Sequence, residues 1–245
     1  MSITGTGIIG SGTISGASAI GTSNAIIFYS NDINKYYNFN SNILNFANSV
    51  AGVADATFYS GGIVATPTYS TSIFKVGTAS ISFAGTTTGL AISNFSPSIF
   101  GYTVSFWCYC NAAANNASNN RVFRIANTSQ TQGMFIFNNT NVLTIAFTPG
   151  GNWATGYTIP DNIWTHLAFV FYPNNTTIFY VNGAYQNQTA TYVYQSFSSD
   201  LAYSVIGANQ IPPIAANLYV GYLDDFRLYE STLTSGQVST IYNFR

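Results

Sequence analysis

Charge is what this sequence has least of. Its 245 residues include 6 Lys plus Arg, 7 Asp plus Glu and 1 His, so 5% are charged, against about one quarter in ordinary globular domains. A net charge of −1 excludes the basic surface through which proteins hold nucleic acid or anionic membranes. Glutamate occurs once, at Glu230, and there is no HExxH and no GxSxG. No run of 18 apolar residues is present, which excludes an ordinary membrane-spanning helix. The N-terminus lacks a basic segment ahead of an apolar one, so an ordinary signal peptide is not expected. Cysteine is scarce too: Cys108 and Cys110 stand two apart in SFWCYC. On a strand they would share a face about 7 Å apart, too far for an unstrained disulfide. They are expected to be reduced thiols in the core.

Aromatics fill the gap. There are 19 Phe, 18 Tyr and 3 Trp, which sets the chain apart from disordered sequences. Its surface must then be built of Asn, Ser, Thr, Gln and Tyr. A near-neutral surface also favours self-association, which suits a protein made for an assembly.

Gly5-Thr-Gly7-Ile-Ile-Gly10 matches the GxGxxG dinucleotide fingerprint, with Asp32 about twenty residues on. That motif needs a buried strand before it and a helix after it. Only four residues precede Gly5, and SGTISGASAIGTS follows, in which Gly, Ser and Thr all disfavour a helix. Dinucleotide binding is rejected. Ile8, Ile14, Ile20 and Ile26 recur every six residues, too few repeats for a self-standing β-helix. Residues 1–24 are read as a low-complexity arm suited to a neighbouring subunit's sheet edge, and 25–245 as one domain.

Beyond the arm the pattern is short strands separated by Asn, Gly and Pro clusters. Strands are predicted at 102–110, 121–125, 133–137, 142–147, 164–172, 176–181, 184–189, 203–207 and 218–229. In 102–110, Val104, Phe106, Cys108 and Cys110 take one face, and Ser105, Trp107 and Tyr109 the other. Asn182-Gly183 signals a type I′ hairpin. Thr234 and Gln237 form a capping box, with Leu233 and Val238 at the staple positions, predicting a helix over 235–242. The fold expected is all-β: a two-sheet antiparallel sandwich with one C-terminal helix.

Five stretches in order, Tyr102–Trp107, Trp164–Ala168, Phe179–Gly183, Leu223–Tyr229 and Leu233–Val238, resemble the laminin-G-like, concanavalin A-like lectin/glucanase module. They follow its "F-T-I-S-F-W", "W-H-H-V-A", "L-Y-V-N-G", "I-D-D-V-R-I-Y" and "L-S-x-x-E-I" pattern. Segment 36–59 resembles the module's opening, and the likeness covers about residues 34–245. The phrasing is also similar to laminin-G-like proteins of giant DNA viruses. The resemblance implies a jelly roll that binds glycans or proteins, often with a structural calcium, or serves as an adhesive part of a larger assembly. It also implies a position for His166 on the "W-H-H-V-A" strand, where packing and a hydrogen bond are expected. The glucanase relatives' E-x-D-x-x-E strand motif is absent.

Site candidates follow. Asp224 and Asp225 are adjacent on a strand, so their side chains are expected on opposite faces, a poor pair for glycoside hydrolysis. Asp224 is placed with Phe226 and Leu228 facing the core. There it needs a metal or backbone donors. Calcium would be held by Asp224 with Asn40, Asn42 and Asp55, although Asn stands where the family often has Asp. Asp225 is expected to form an exposed ion pair with Arg227. Trp153, Tyr157, Tyr192 and Tyr194 are read as loop aromatics that could stack on sugars. Sequons at Asn116, Asn127, Asn138, Asn174, Asn175 and Asn187 are no more than chance supplies in so Asn-, Ser- and Thr-rich a chain. The function expected is non-enzymatic: a structural or interaction component of a virus particle or fibre, made in the cytosol. Its partners would be copies of itself, other particle proteins, or glycans. The alternative is a glycan-binding adhesin.

Overall fold

The computed structural model describes residues 33–42, 56–85, 87–92, 95, 99–111, 120–127, 133–139, 142–148, 150–189, 201–214 and 216–244. The arm (1–24), Asp55, Tyr192 and Tyr194 lie outside them. In chain order the strands are β1 (Ile33–Tyr37), β2 (Thr57–Ser60), β3 (Ile63–Val64), β4 (Thr68–Ser70), β5 (Ser80–Ala84), β6 (Thr88–Ile92), β7 (Tyr102–Cys110) and β8 (Asn120–Asn127). Then come β9 (Gly133–Asn139), β10 (Val142–Thr148), β11 (Gly151–Thr158), β12 (Trp164–Phe171), β13 (Thr177–Val181), β14 (Ala184–Thr189), β15 (Leu201–Ile206) and β16 (Val220–Tyr229), followed by helix α1 (Ser235–Asn243).

Among the described residues these strands form two eight-stranded antiparallel sheets. The first runs β14-β13-β12-β7-β16-β5-β4, with β1 also paired to β16, and the second runs β11-β10-β9-β8-β15-β6-β2-β3. Alternation explains why they face each other. Val104, Phe106, Cys108 and Cys110 of β7 all enter the core between the sheets, as the period-two pattern requires. Phe106 stacks on Phe226 at 5.9 Å within the first sheet, and Phe123 of the second meets Phe226 at 5.0 Å. Both cysteines are buried free thiols, and burial pushes the Cys108 thiol up, further disfavouring the reactive thiolate.

The predicted hairpin is present, with Asn182 at φ 50° and Gly183 at φ 77°. Its Asn182 side chain accepts a hydrogen bond from the His166 amide at 3.0 Å, fixing the turn to β12. The capping box of α1 is also present: the Gln237 amide donates to the Thr234 hydroxyl, and the Thr234 amide donates to the Gln237 side chain. Leu233 and Val238 are both buried in one cluster with Ile33, Tyr36 and Tyr180. That cluster seats α1 on the outer face of the first sheet.

Two expectations are corrected here. Trp153 and Tyr157, read as loop aromatics, lie on edge strand β11, and Trp153 points inward, 8% exposed in the core. Trp153 is therefore a packing residue and offers no open ring to a ligand. Strict alternation also fails at the Asp pair. Asp225 adopts φ 49°, and between Asp224↔Trp107 and Arg227↔Ser105 two residues of β16 oppose one of β7. This β-bulge resets the parity of the strand. Leu223 and Phe226 both enter the core, so Asp224 does not share the face of Phe226. Asp224 and Asp225 both leave on the outer face, Asp224 toward the Lys75 and Val76 amides and Asp225 toward Arg227.

Candidate functional site: an aromatic row on the outer sheet face

The outer face of the first sheet divides into a covered half and an open half. In the covered half, Trp107 of β7 pairs with Asp224 of β16 and His166 of β12. Tyr242 of α1 stacks on the Trp107 ring at 5.4 Å, and Lys75 Nζ sits 4.4 Å from the ring centre on a cation–π contact. His166 is fully buried, its Nε2 2.8 Å from the Ser105 hydroxyl. Burial, with Arg227 adding to it, pushes its pKa down to about 3, so the ring is neutral. This matches the packing and hydrogen-bonding role expected of it.

Next along the charged strand, Arg227 donates two hydrogen bonds to Asp225 Oδ1, at 2.8 and 3.1 Å. Its guanidinium lies between the Tyr36 ring (4.7 Å) and the Phe244 ring (5.2 Å). Both partners are buried, a correction to the exposed pair expected: β1 and the end of α1 cover them.

Asp224 is a loop clamp. Its Oδ2 accepts the amides of Lys75 and Val76 at 2.8 and 2.9 Å, and its Oδ1 accepts the Asp225 amide at 2.8 Å. Burial raises its pKa to about 7 despite these three donors. Asn40 holds the same β4–β5 loop further on, accepting the Thr78 and Ala79 amides at 2.7 and 3.2 Å. The Asn42 side chain donates to the Asn40 carbonyl. The Asp224 and Asn40 side-chain oxygens expected to face calcium thus face N–H donors, which a cation would repel. Asp224, Asn40 and Asn42 do not fit a calcium site, and Asp55 lies outside the described residues. Among those residues no three His, Cys, Asp or Glu come together in a metal-holding group. The alternative of backbone hydrogen bonds holds for Asp224.

One pair further along the strands, beyond the reach of α1, the cross-strand row Ser82↔Tyr222↔Tyr109↔Trp164 spans β5, β16, β7 and β12. All four residues are half-buried. The Tyr109 ring packs edge-on against Trp164 at 5.5 Å and against Tyr222 at 5.8 Å. Ile163, beside Trp164, is 57% exposed. The row borders a depression of about 390 Å³ lined by Ile73, Tyr109, Asn111, Asn162, Gly221 and Tyr222. The clamped loop supplies Ile73 as one wall. Gly221 shapes the floor: with φ 143°, a Cβ there would sit 2.2 Å from the Tyr109 carbonyl. Locked rings beside amide side chains suit a neutral polar ligand with apolar faces.

Sequence reasoning placed Tyr109 on the outward face but left the row unseen, because outward aromatics on three strands become a platform only once the register is known. Tyr157, one of the expected ligand residues, is half-buried with its ring against Phe179 at 5.8 Å. It lies on β11 of the other sheet, so it does not join the row.

Residues 84–239 match the laminin-G-type model of the concanavalin A-like lectin/glucanases superfamily. The chain belongs to this superfamily. No curated protein matches it in sequence. Among solved structures it is similar to domain 4 of AbnA, a GH43 extracellular arabinanase from Geobacillus stearothermophilus, solved in complex with arabinotriose. There the TM-score is 0.66 and the identity 21%, covering 86% of this chain and 98% of that one. It is also similar to the binding domain of Paraclostridial Mosquitocidal Protein 1 (TM-score 0.63, 14% identity, 86% of this chain, 52% of that one). A heptameric SAP-like pentraxin from Limulus polyphemus gives a TM-score of 0.55 at 19% identity, over 66% and 81%. At these identities the likeness establishes the jelly-roll fold. The superfamily joins lectins and glucanases, and these relatives include binding domains and a domain of an arabinan-degrading enzyme.

Proposed function

We propose that this chain is a non-enzymatic binding module that holds a neutral glycan on the row Tyr222–Tyr109–Trp164. The row carries the reading: half-open aromatic rings on rigid strands, beside the amide side chains of Asn111 and Asn162. Hydrolysis is disfavoured because Asp224 is spent on backbone amides and Asp225 on Arg227, so neither is free to act as acid or nucleophile. The arabinotriose bound to the arabinanase domain and the binding roles in the relatives' names are consistent with a sugar ligand. A glycan array probed with the full chain, paired with a hydrolysis assay on the same polysaccharides, tests the reading. Binding without cleavage is the expected result, and cleavage by the wild type that an Asp→Asn change at 161, 224 or 225 abolishes would overturn it.

A second reading, a structural component of a virus particle or fibre, is favoured by a separate observation. Large apolar side chains stand exposed away from the row: Ile63 (71%), Val64 (66%), Ile99 (66%) and Phe100 (75%). On a nearly uncharged protein these are contact surfaces for other subunits. The two readings combine in a particle- or fibre-borne adhesin. Assembly in the cytosol before display would suit the buried free thiols.

A further inference from the structure

The two residues of β3, Ile63 and Val64, are 71% and 66% exposed. Successive strand residues point to opposite faces, so β3 shows an uncovered β-branched side chain on each face. It is the outermost strand of the second sheet among the described residues. Natural edges are blunted by Lys, charge or a covering element, and residues 61–66 carry no charge. The opposite flank contrasts with it. Edge strand β14 reads AYQNQT, and its Asn187 side chain is tied to the Thr155 carbonyl of β11 at 3.1 Å. Of these two edges, only that of β3 is apolar and exposed on both faces.

The chain carries a matching segment. Thirty-two residues precede Ile33, and the first 31 contain no charge. Ile8, Ile14, Ile20 and Ile26 are separated by even numbers of residues, so an extended strand puts all four on one face. Gly10, Gly12, Gly16 and Ser18 lie between them on that face and allow close backbone approach.

The direction of β1 favours a second copy as the receiver of that strand. The first described strand, β1, begins at Ile33, opposite Tyr229, and runs from there toward Phe226. β3 sits at the other end. Ile63 pairs with Ser60, Ser60 with Thr88, and Thr88 follows closely on Ala84, which pairs with Val220. Val220 and Tyr229 are the two ends of β16, about 30 Å apart at the usual strand rise. The line of β1 prolonged before Ile33 thus points away from the molecule's own β3.

We propose that the isoleucine-spaced segment of one copy adds as a strand to the β3 edge of the next. The contact is a head-to-tail β-augmentation. It rests on the assembly reading above and names its joint. The start of β1 and the β3 edge lie at opposite ends of one body, so the proposed contact is heterologous and grows an open chain of subunits unless the rotation closes a ring.

The test uses full-length chains and light scattering. One variant, I63D/V64D, blocks the edge, and another, I14D/I20D, blocks the donor; I63S/V64S serves if the aspartates perturb folding. Wild type is expected at several chain masses and each variant alone at one. The two variants mixed should give two chain masses, because the mixture holds one intact donor and one intact edge. Wild type at a single chain mass would overturn this proposal together with the assembly reading. Association that survives both edge variants, or a mixture that stays at one chain mass, would overturn the β3 joint while leaving assembly by another surface standing.

Discussion

Asp225 and Arg227 meet at 2.8 Å on the outer face of β16, with Phe226 between them turned into the core. The bulge at Asp225 turns its carboxylate under Tyr36 and α1 and leaves Phe226 in the core. A buried pair costs much to desolvate, but breaking it by removing one partner leaves an unpaired charge. Arg227→Met is therefore expected to destabilise the fold by about 3–5 kcal/mol. The double change Asp225→Asn with Arg227→Met should recover part of that loss. Denaturant titration of the three proteins measures both effects.

Asp224 and His166 pull the pH dependence in opposite directions. Asp224 has a folded pKa of about 7 against an ordinary 3.8. Its contribution is present below the ordinary value and is lost as pH rises through about 7. His166 is depressed to about 3 from 6.5. Its contribution is present above 6.5 and is lost as pH falls toward 3. Asp225, also raised by burial, acts in the same sense as Asp224. Relative to wild type, Asp224→Asn should make stability fall more steeply on acidification between pH 4 and 6.5, by up to about 1.4 kcal/mol per pH unit. His166→Gln should tilt the profile the other way. Urea midpoints taken across that window would show parallel profiles if neither group titrates as described.

Gly221 lets the backbone of β16 pass against β7 under the depression. Gly221→Ala places a methyl 2.2 Å from the Tyr109 carbonyl in a backbone region that L-residues rarely adopt. A thermal melt is expected to show a clear loss of stability, on the order of 1–3 kcal/mol. Gly236→Ala, whose added methyl meets nothing within 4 Å, should be neutral or slightly stabilising.

The parts legible in the sequence were those governed by local rules. The alternation in β7, the Asn182-Gly183 turn and the Thr234/Gln237 cap each depend on a few neighbouring residues, and each stands as read. The strands between 57 and 92 are short and weakly patterned, so they passed unread. Trp153 reads as a loop residue within PGGNWATGY, but the structure uses Gly150 and Gly151 at positive φ to turn into an edge strand. The Asp pair misled because alternation holds only until a bulge intervenes, and nothing in GYLDDFRLY marks Asp225 for positive φ. The aromatic row depends on registers between strands far apart in sequence, which no local pattern encodes.

Loop 73–79, clamped by Asp224 and Asn40, forms a wall of the depression through Ile73. Asn40→Ala removes the one side-chain oxygen that accepts the Thr78 and Ala79 amides, without touching the row. It should weaken glycan binding several-fold through a looser wall, with little change in the far-ultraviolet dichroism. Equal affinity for the variant and wild type would show that the loop does not shape the site.

The most direct measurement is calorimetric titration of neutral oligosaccharides, chosen from the array, into wild type and into Tyr109→Ala, Trp164→Ala and Tyr157→Ala. Loss of at least tenfold in affinity, about 1.4 kcal/mol, is expected for the Tyr109 and Trp164 changes, with Tyr157→Ala near wild type. Undiminished binding in the first two, or a loss confined to Tyr157→Ala, would contradict a ligand seated on the outer face of the first sheet.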